Sequence, residues 1–246
     1  MVELFFGEIT SIDVLLAMFT GIAGGIVLAV AYKLADSGVE HWKPRKLVHI
    51  SMGTLIALTV HNYVTLSGPA LAGGIFLVIL MYSWAHKSSL ISELLVAGSR
   101  EKESSLNTFA SGFMGMIAFV VAFLLFFHRP EIFVAAILAV AWGDAAGEVV
   151  GRTVGGNISK RKFRGKSVEG SFGVWGMTVI SILLAMLIYS VDMCPFCVIG
   201  QIAIIGTVIM IIELFSIGWT DNFLIPLATA FLMWLLIYPG MPLFIF

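Results

Sequence analysis

Long apolar runs separated by short polar ones dominate the chain. Eight such runs fall at 12–34, 46–62, 68–86, 106–127, 131–150, 171–191, 196–216 and 222–240. Their length matches the ~20 residues a helix needs to cross a hydrocarbon core of about 30 Å. They are continuous rather than alternating, which argues against a transmembrane β-barrel, and backbone groups in lipid must then bond within each segment, as helices do. The pattern predicts an all-α, polytopic transmembrane helix bundle of about eight spans, formed by residues 1–246 as a single integral-membrane domain.

Composition supports this reading. Hydrophobic residues make up 59% of the 246 and charged ones only 12%, with a mean hydropathy of +1.02. A water-soluble domain keeps charged residues near a quarter of its length. Acids precede the first run (Glu3, Glu8, Asp13) where a signal peptide would carry bases, so no cleavable leader is expected.

The net charge of −1 conceals a strong bias in position. The loops after runs one, three and five hold Lys33, Lys43, Arg45, Lys46, Lys87, Arg100, Lys102, Arg152, Lys160, Arg161, Lys162, Arg164 and Lys166, thirteen of the fourteen Lys and Arg. Only Arg129 falls on the other side. By the positive-inside rule these loops face the cytoplasm, and an even number of spans puts both termini outside. Cys194-Pro-Phe-Cys197 then lies in an outer loop. Two cysteines alone cannot close a structural zinc site, which leaves a local disulfide or two inert thiols.

Polar groups interrupt the apolar runs at a few places. The stretch Gly143-Asp144-Ala-Ala-Gly147-Glu148-Val-Val-Gly151-Arg152 ends the fifth run, although a charge at the centre of a membrane helix costs roughly 2.5–3.5 kcal/mol. On a helix Asp144, Glu148 and Arg152 share one face, and Gly143, Gly147 and Gly151 form a second stripe beside it. The glycines serve either close helix packing or close approach of a ligand. The acids either pair with Arg152 or hold something else.

The loop over 151–170 is the most basic part of the chain. Six bases run from Arg152 to Lys166 among Gly155, Gly156 and Gly165. It is either a positive-inside anchor that attracts anionic lipid or a polyphosphate site, since backbone amides beside glycine and clustered Lys and Arg both suit phosphate oxygens. Gly165-Lys166-Ser167 resembles the tail of a P-loop, but position 160 is Lys instead of Gly, which excludes a Walker-type site. The second run opens with Lys43-Pro44-Arg45-Lys46-Leu-Val-His49, where Pro44 suits a first helical turn. Glu213, Asp221 and Asn222 gather at the end of run seven and the start of run eight with no base near them in sequence. They call for a divalent ion or for a base from another element, and hard oxygen ligands of this kind suit Mg²⁺.

Taken together, Arg45-Lys46-x-x-His49, Gly143-Asp144-Ala-Ala with Gly151-Arg152, Gly165-Lys166-Ser167-Val-Glu169-Gly170-Ser171, and Glu213 with Asp221-Asn222-x-x-x-Pro226 resemble the dolichol kinase and phytol kinase family. That family includes the CTP-dependent diacylglycerol kinases and is distantly similar to the CDP-diacylglycerol synthases. Arg100-Glu-Lys-Glu103 resembles a further basic–acidic segment of it, whereas Glu148 departs from the small residue more usual there.

The resemblance implies a lipid-alcohol kinase working on the cytoplasmic membrane face, with CTP as phosphoryl donor, Mg²⁺ or another divalent cation as cofactor, a membrane lipid as second substrate and no nucleic-acid partner. Its site would place Asp144, Glu213, Asp221 and Asn222 on the metal. Gly143, Gly147, Gly151, Arg152, Gly155, Gly156, Lys162, Arg164, Gly165, Lys166 and Ser167 would lie along the nucleotide. Arg45 and Lys46 would neutralise charge, and Asp144, His49 or Glu169 would act as base. Two other readings use the same groups: a cytidylyltransferase that makes a CDP-activated lipid, and an ion-coupled transporter. A transporter would place its ion site near the bilayer midplane, often at broken helices of repeated halves, and neither feature is visible here.

Overall fold

The computed structural model describes residues 7–86, 93, 105–154, 162–163, 165–189, 194–217 and 220–243, and for 105–109 and 162 the backbone only. Gly155, Gly156, Arg164 and the segment 100–103 lie outside the described residues. Eight helical segments coincide with the eight apolar runs: α1 (Ser11–Asp36), α2 (Trp42–Thr59), α3 (Ser67–Ala85), α4 (Ser105–Phe126), α5 (Pro130–Thr153), α6 (Val168–Ile188), α7 (Ile199–Phe215) and α8 (Thr220–Leu236). Among the described residues five are long and apolar enough to cross a membrane: α1, α3, α5, α6, and α7 together with the short 3₁₀ turn that leads into it. α8 is shorter, at 17 residues. The first turn of α2 carries Lys43, Arg45 and Lys46. The chain is thus an all-helical, multi-pass membrane protein, with five helices that meet the spanning criteria where eight spans are expected.

The chain divides into two units, Met1–Phe113 and Met114–Phe246. In the first, α1 packs against α2 and α3. Its start is fixed by a capping box in which the Thr10 hydroxyl accepts from the Asp13 amide and the Asp13 carboxylate accepts from the Thr10 amide. Asp13 is fully buried. Its carboxylate also accepts from the Thr10 hydroxyl, the Val64 and Thr65 amides and the Thr65 hydroxyl. Five donors and the positive end of a helix dipole thus hold the buried charge, and they tie the start of α1 to the turn between α2 and α3. The outer face of α1 is apolar and open, with Leu15, Phe19, Ile22 and Ile26 more than half exposed, as expected of a lipid-facing helix.

In the second unit α5 is the central helix. Two-thirds of its apolar window is buried, against 17% for α1, and Ile132–Ala141 are almost wholly enclosed. It packs along α6 and α8, while α7 packs against both of those helices. Phe123 of α4 meets Phe133 of α5 edge-on, as Phe126 meets Phe231 of α8. At Ala139–Gly143 the helix widens into a π turn that ends where Asp144 begins. Such turns shift the helical phase of the residues beyond them and recur at functional sites.

Lipid tails are as apolar as leucine, so burial alone does little to join helices in a membrane, and close backbone contact matters more. The α5–α6 seam supplies that contact. A Cβ added at Gly170 would lie 2.6 Å from the Gly147 carbonyl oxygen, and one at Gly147 would lie 2.7 Å from Val174. Gly143 faces Thr178, and Gly151 faces the Ser167 hydroxyl.

The all-helical expectation needs one amendment. In the basic loop, β1 (Lys162–Phe163) pairs antiparallel with β2 (Lys166–Ser167) in a short hairpin. Gly165 turns it with φ of +83°, a conformation glycine adopts without penalty.

Candidate functional site in the second unit

The hairpin leads directly into α6. Ser167 ends β2 in extended conformation and caps the helix, its hydroxyl accepting from the Gly170 amide at 3.1 Å. Glu169 follows in the first turn, where a carboxylate favours the positive end of the helix dipole. The segment Gly-Lys-Ser-Val-Glu-Gly-Ser therefore has a local structural meaning: turn, strand, cap and close-packed first turn. Glu169 is half-buried, and its Oε2 is enclosed without a hydrogen-bond partner.

Lys166 is the pivot. Its Nζ lies 2.7 Å from Glu213 Oε1 and also donates to the Glu213 backbone carbonyl near the end of α7. Glu213 is buried. The base that its sequence neighbourhood lacked is thus supplied from a strand 47 residues away. The hairpin has a second hold on the same helix end, because the Phe163 ring meets the Phe215 ring edge-on at 5.5 Å.

Two further acids converge on this pair. The carboxylates of Asp144, on α5, and Asp221, on α8, both act electrostatically on Glu213. Asp221 is buried and accepts from the Asn222 amide. Asn222 lies beside Gly115 of α4. Asp144, Lys166, Glu213, Asp221 and Asn222, scattered over 79 residues of sequence from 144 to 222, are thereby drawn toward one end of the unit. Among the described residues no three His, Cys, Asp or Glu side chains close on a single point as a metal cage would. Mg²⁺ does not need such a cage, since that ion keeps waters and binds through one or two protein carboxylates together with substrate phosphates.

Other expected site residues have different surroundings. Gly143, Gly147 and Gly151, expected along the nucleotide, face α6 and form the tight α5–α6 seam. The close-packing alternative accounts for them, because the space a ligand would need is filled by Val174, Thr178 and Gly170. Gly165 serves the hairpin turn. Arg152 pairs with Glu148 at 2.9 Å, one helical turn away, which answers what Glu148 holds. The Lys162 backbone belongs to β1. Arg45, Lys46 and His49 lie on α2 of the first unit, Lys46 buried and the other two half-buried.

Reasoning from sequence missed the aromatic contact of Phe163 with Phe215, because nothing in either flanking sequence marks a partner. It also passed over the N-terminal end of α5. There Arg129 pairs with the buried Glu131 at 3.4 Å and lies over the Tyr238 ring at 5.1 Å. Cys194 and Cys197 form a local disulfide at the start of the turn into α7, at the opposite end of that helix from Glu213.

No family model matches this chain, and no solved structure matches it. Among curated proteins it is similar to the CTP-dependent diacylglycerol kinase 1 of Eremothecium gossypii, with 26% identity over 152 residues. The match covers 59% of this chain and 46% of that protein, so the chain spans about half the length of the curated relative it matches.

Proposed function

We propose that this protein is a CTP-dependent lipid kinase that phosphorylates the hydroxyl of a membrane lipid alcohol at the cytoplasmic face. The acceptor is an isoprenoid alcohol of the dolichol, phytol or geranylgeraniol type, or a diacyl- or dialkylglycerol. The observation that carries this reading is the convergence of Asp144 and Asp221 on the Lys166–Glu213 pair, beside a basic hairpin. The CTP dependence of the Eremothecium protein supports the choice of CTP as donor.

Phosphoryl transfer asks a protein for charge neutralisation and in-line placement rather than covalent chemistry. Asp144 and Asp221, with Asn222, would hold Mg²⁺, which when bound neutralises phosphate oxygens. Lys166, held by Glu213, contacts a phosphate oxygen. Arg45, Lys46 and His49 join this reading through the sequence motif. The lipid hydroxyl oxygen attacks the γ-phosphorus as the bond to the β,γ-bridging oxygen breaks, and CDP leaves with that oxygen. Glu169, in the first turn of α6, takes the hydroxyl proton. The lipid tail stays among the apolar helices, so no long hydrocarbon has to enter water.

The test is a product assay with the full chain, MgCTP and a panel of lipid alcohols, read by mass spectrometry. A phosphorylated lipid with stoichiometric CDP is expected. Pyrophosphate with a CDP-lipid would identify a cytidylyltransferase, and the absence of any nucleotide turnover would remove both readings.

A further inference from the structure

We propose that Glu213 is the positioning residue for Lys166 and not a metal ligand. The proposal deepens the kinase reading and rests on it.

The geometry is specific. An ammonium has three N–H donors. Lys166 gives one to Glu213 Oε1 at 2.7 Å and a second to the carbonyl oxygen of the same residue. Both acceptors lie in the last turn of α7, where the helix dipole favours a cation, and the carbonyl there is shared with the Ser216 amide. Lys166 therefore also caps α7, and one N–H remains for a ligand oxygen. Phe163 against Phe215 clamps the same hairpin to the same helix end, so the amine is fixed from both its backbone and its tip. The side chain of Lys166 is 27% exposed and that of Glu213 10%, so the ammonium is the member of the pair that a ligand can reach.

The charge arrangement points the same way. Lys166 is the cation that stands against the buried Glu213 carboxylate. A lysine held this way keeps its place without a phosphate and does not have to be ordered when one arrives. A flexible lysine would lose rotamer freedom on binding, a cost that preorganisation removes. A metal ligand would instead keep its oxygens for the ion, whereas Oε1 is committed to Lys166.

The experiment compares wild type with Glu213→Gln, Glu213→Asp, Lys166→Met and the Lys166→Met/Glu213→Gln double variant, all as the full chain in lipid–detergent micelles. Kinetics with CTP and Mg²⁺ are combined with equilibrium binding of radiolabelled MgCTP. Glu213→Gln should raise the KM for CTP about tenfold, the worth of one charge-assisted contact. The Mg²⁺ concentration for half-maximal rate should not move, and Glu213→Asp should recover part of the affinity. In the Lys166→Met background Glu213→Gln should change neither quantity further.

A Mg²⁺ requirement that rises with Glu213→Gln in both backgrounds would make Glu213 a metal ligand and overturn the proposal. An unchanged KM for CTP in Glu213→Gln would overturn it too, by reducing the pair to a structural contact. Where the single variant does not fold, the double variant removes both charges and avoids an uncompensated buried one. Affinity for MgCTP in the double variant equal to wild type would then count against the proposal, and a loss equal to that of Lys166→Met alone would support it. A wild-type chain that binds MgCTP but releases no CDP would sink the kinase reading, yet the binding comparison would still decide the role of Glu213.

Discussion

Gly170 lies so close to Gly147 that a Cβ on the first would stand 2.6 Å from the carbonyl oxygen of the second. The neighbouring atom is backbone, which cannot swing aside as a flexible side chain would. The α5–α6 seam that carries Asp144 on one side and Ser167 on the other depends on this approach.

Gly170→Ala should therefore destabilise the protein by about 1–3 kcal/mol, the usual range for overpacking. Gly176→Ala on the same helix meets no atom within 4 Å and should be neutral or slightly stabilising. Thermal unfolding in detergent, followed by tryptophan fluorescence, separates the two. Equal transition temperatures would mean the seam is looser than the Gly170–Gly147 approach requires.

Asp144 and Glu148 share a helix face but have different surroundings. Asp144→Asn should abolish lipid phosphorylation while leaving the unfolding temperature within a few degrees of wild type. Glu148 pairs with Arg152, whose side chain is 55% exposed, and exposed i,i+4 pairs of this kind are worth only about 0.3–0.5 kcal/mol. Glu148→Gln should keep turnover within about threefold of wild type, since an effect of that size changes a rate by little more than a factor of two. A side-by-side turnover assay reads both, and equal losses would contradict the division of roles.

Asp13 carries no proposed chemistry but serves five donors from within a buried position. Replacing it with alanine strands the Val64 and Thr65 amides and removes the carboxylate half of the capping box at the start of α1. A loss of about 2–4 kcal/mol is expected, because hydrogen bonds to charged groups contribute more than neutral ones and orphaned donors add their own cost. Hydrogen exchange should show the added opening in α1 and in residues 63–66, and a uniform increase across the chain would argue against a local anchor.

The disulfide between Cys194 and Cys197 closes a loop of only four residues. On the chain-entropy scale such a loop contributes no more than about 2 kcal/mol. The pair stands at the far end of α7 from Glu213, about 25 Å away along a 17-residue helix. Cys194→Ser/Cys197→Ser should lower thermal stability slightly and leave the KM for CTP unchanged. A changed KM would tie the disulfide turn to the site.

The helical character and approximate ends of the apolar runs were legible in the sequence, because an apolar run in lipid must satisfy its own backbone. The candidate acids and bases were legible as residues, since charges inside apolar runs need a reason to be there. The glycine stripe was legible as a stripe, but its partner was not. Gly143, Gly147 and Gly151 could have faced a ligand or a helix, and the packing of Val174 and Thr178 settled that in favour of α6. The hairpin at Lys162–Ser167 left no periodic signal because it is only two residues deep on each strand.

By itself the sequence determined an all-helical membrane protein whose polar chemistry is concentrated in a few short segments. That conclusion rests on local physics, the length of apolar runs and the cost of charge in lipid. Only the tertiary structure decided that Lys166 answers Glu213, that Phe163 rests on Phe215, and that Asp144 and Asp221 act on the same pair. Those relationships join residues far apart in the chain, and no local propensity records which distant side chain will offset a buried charge.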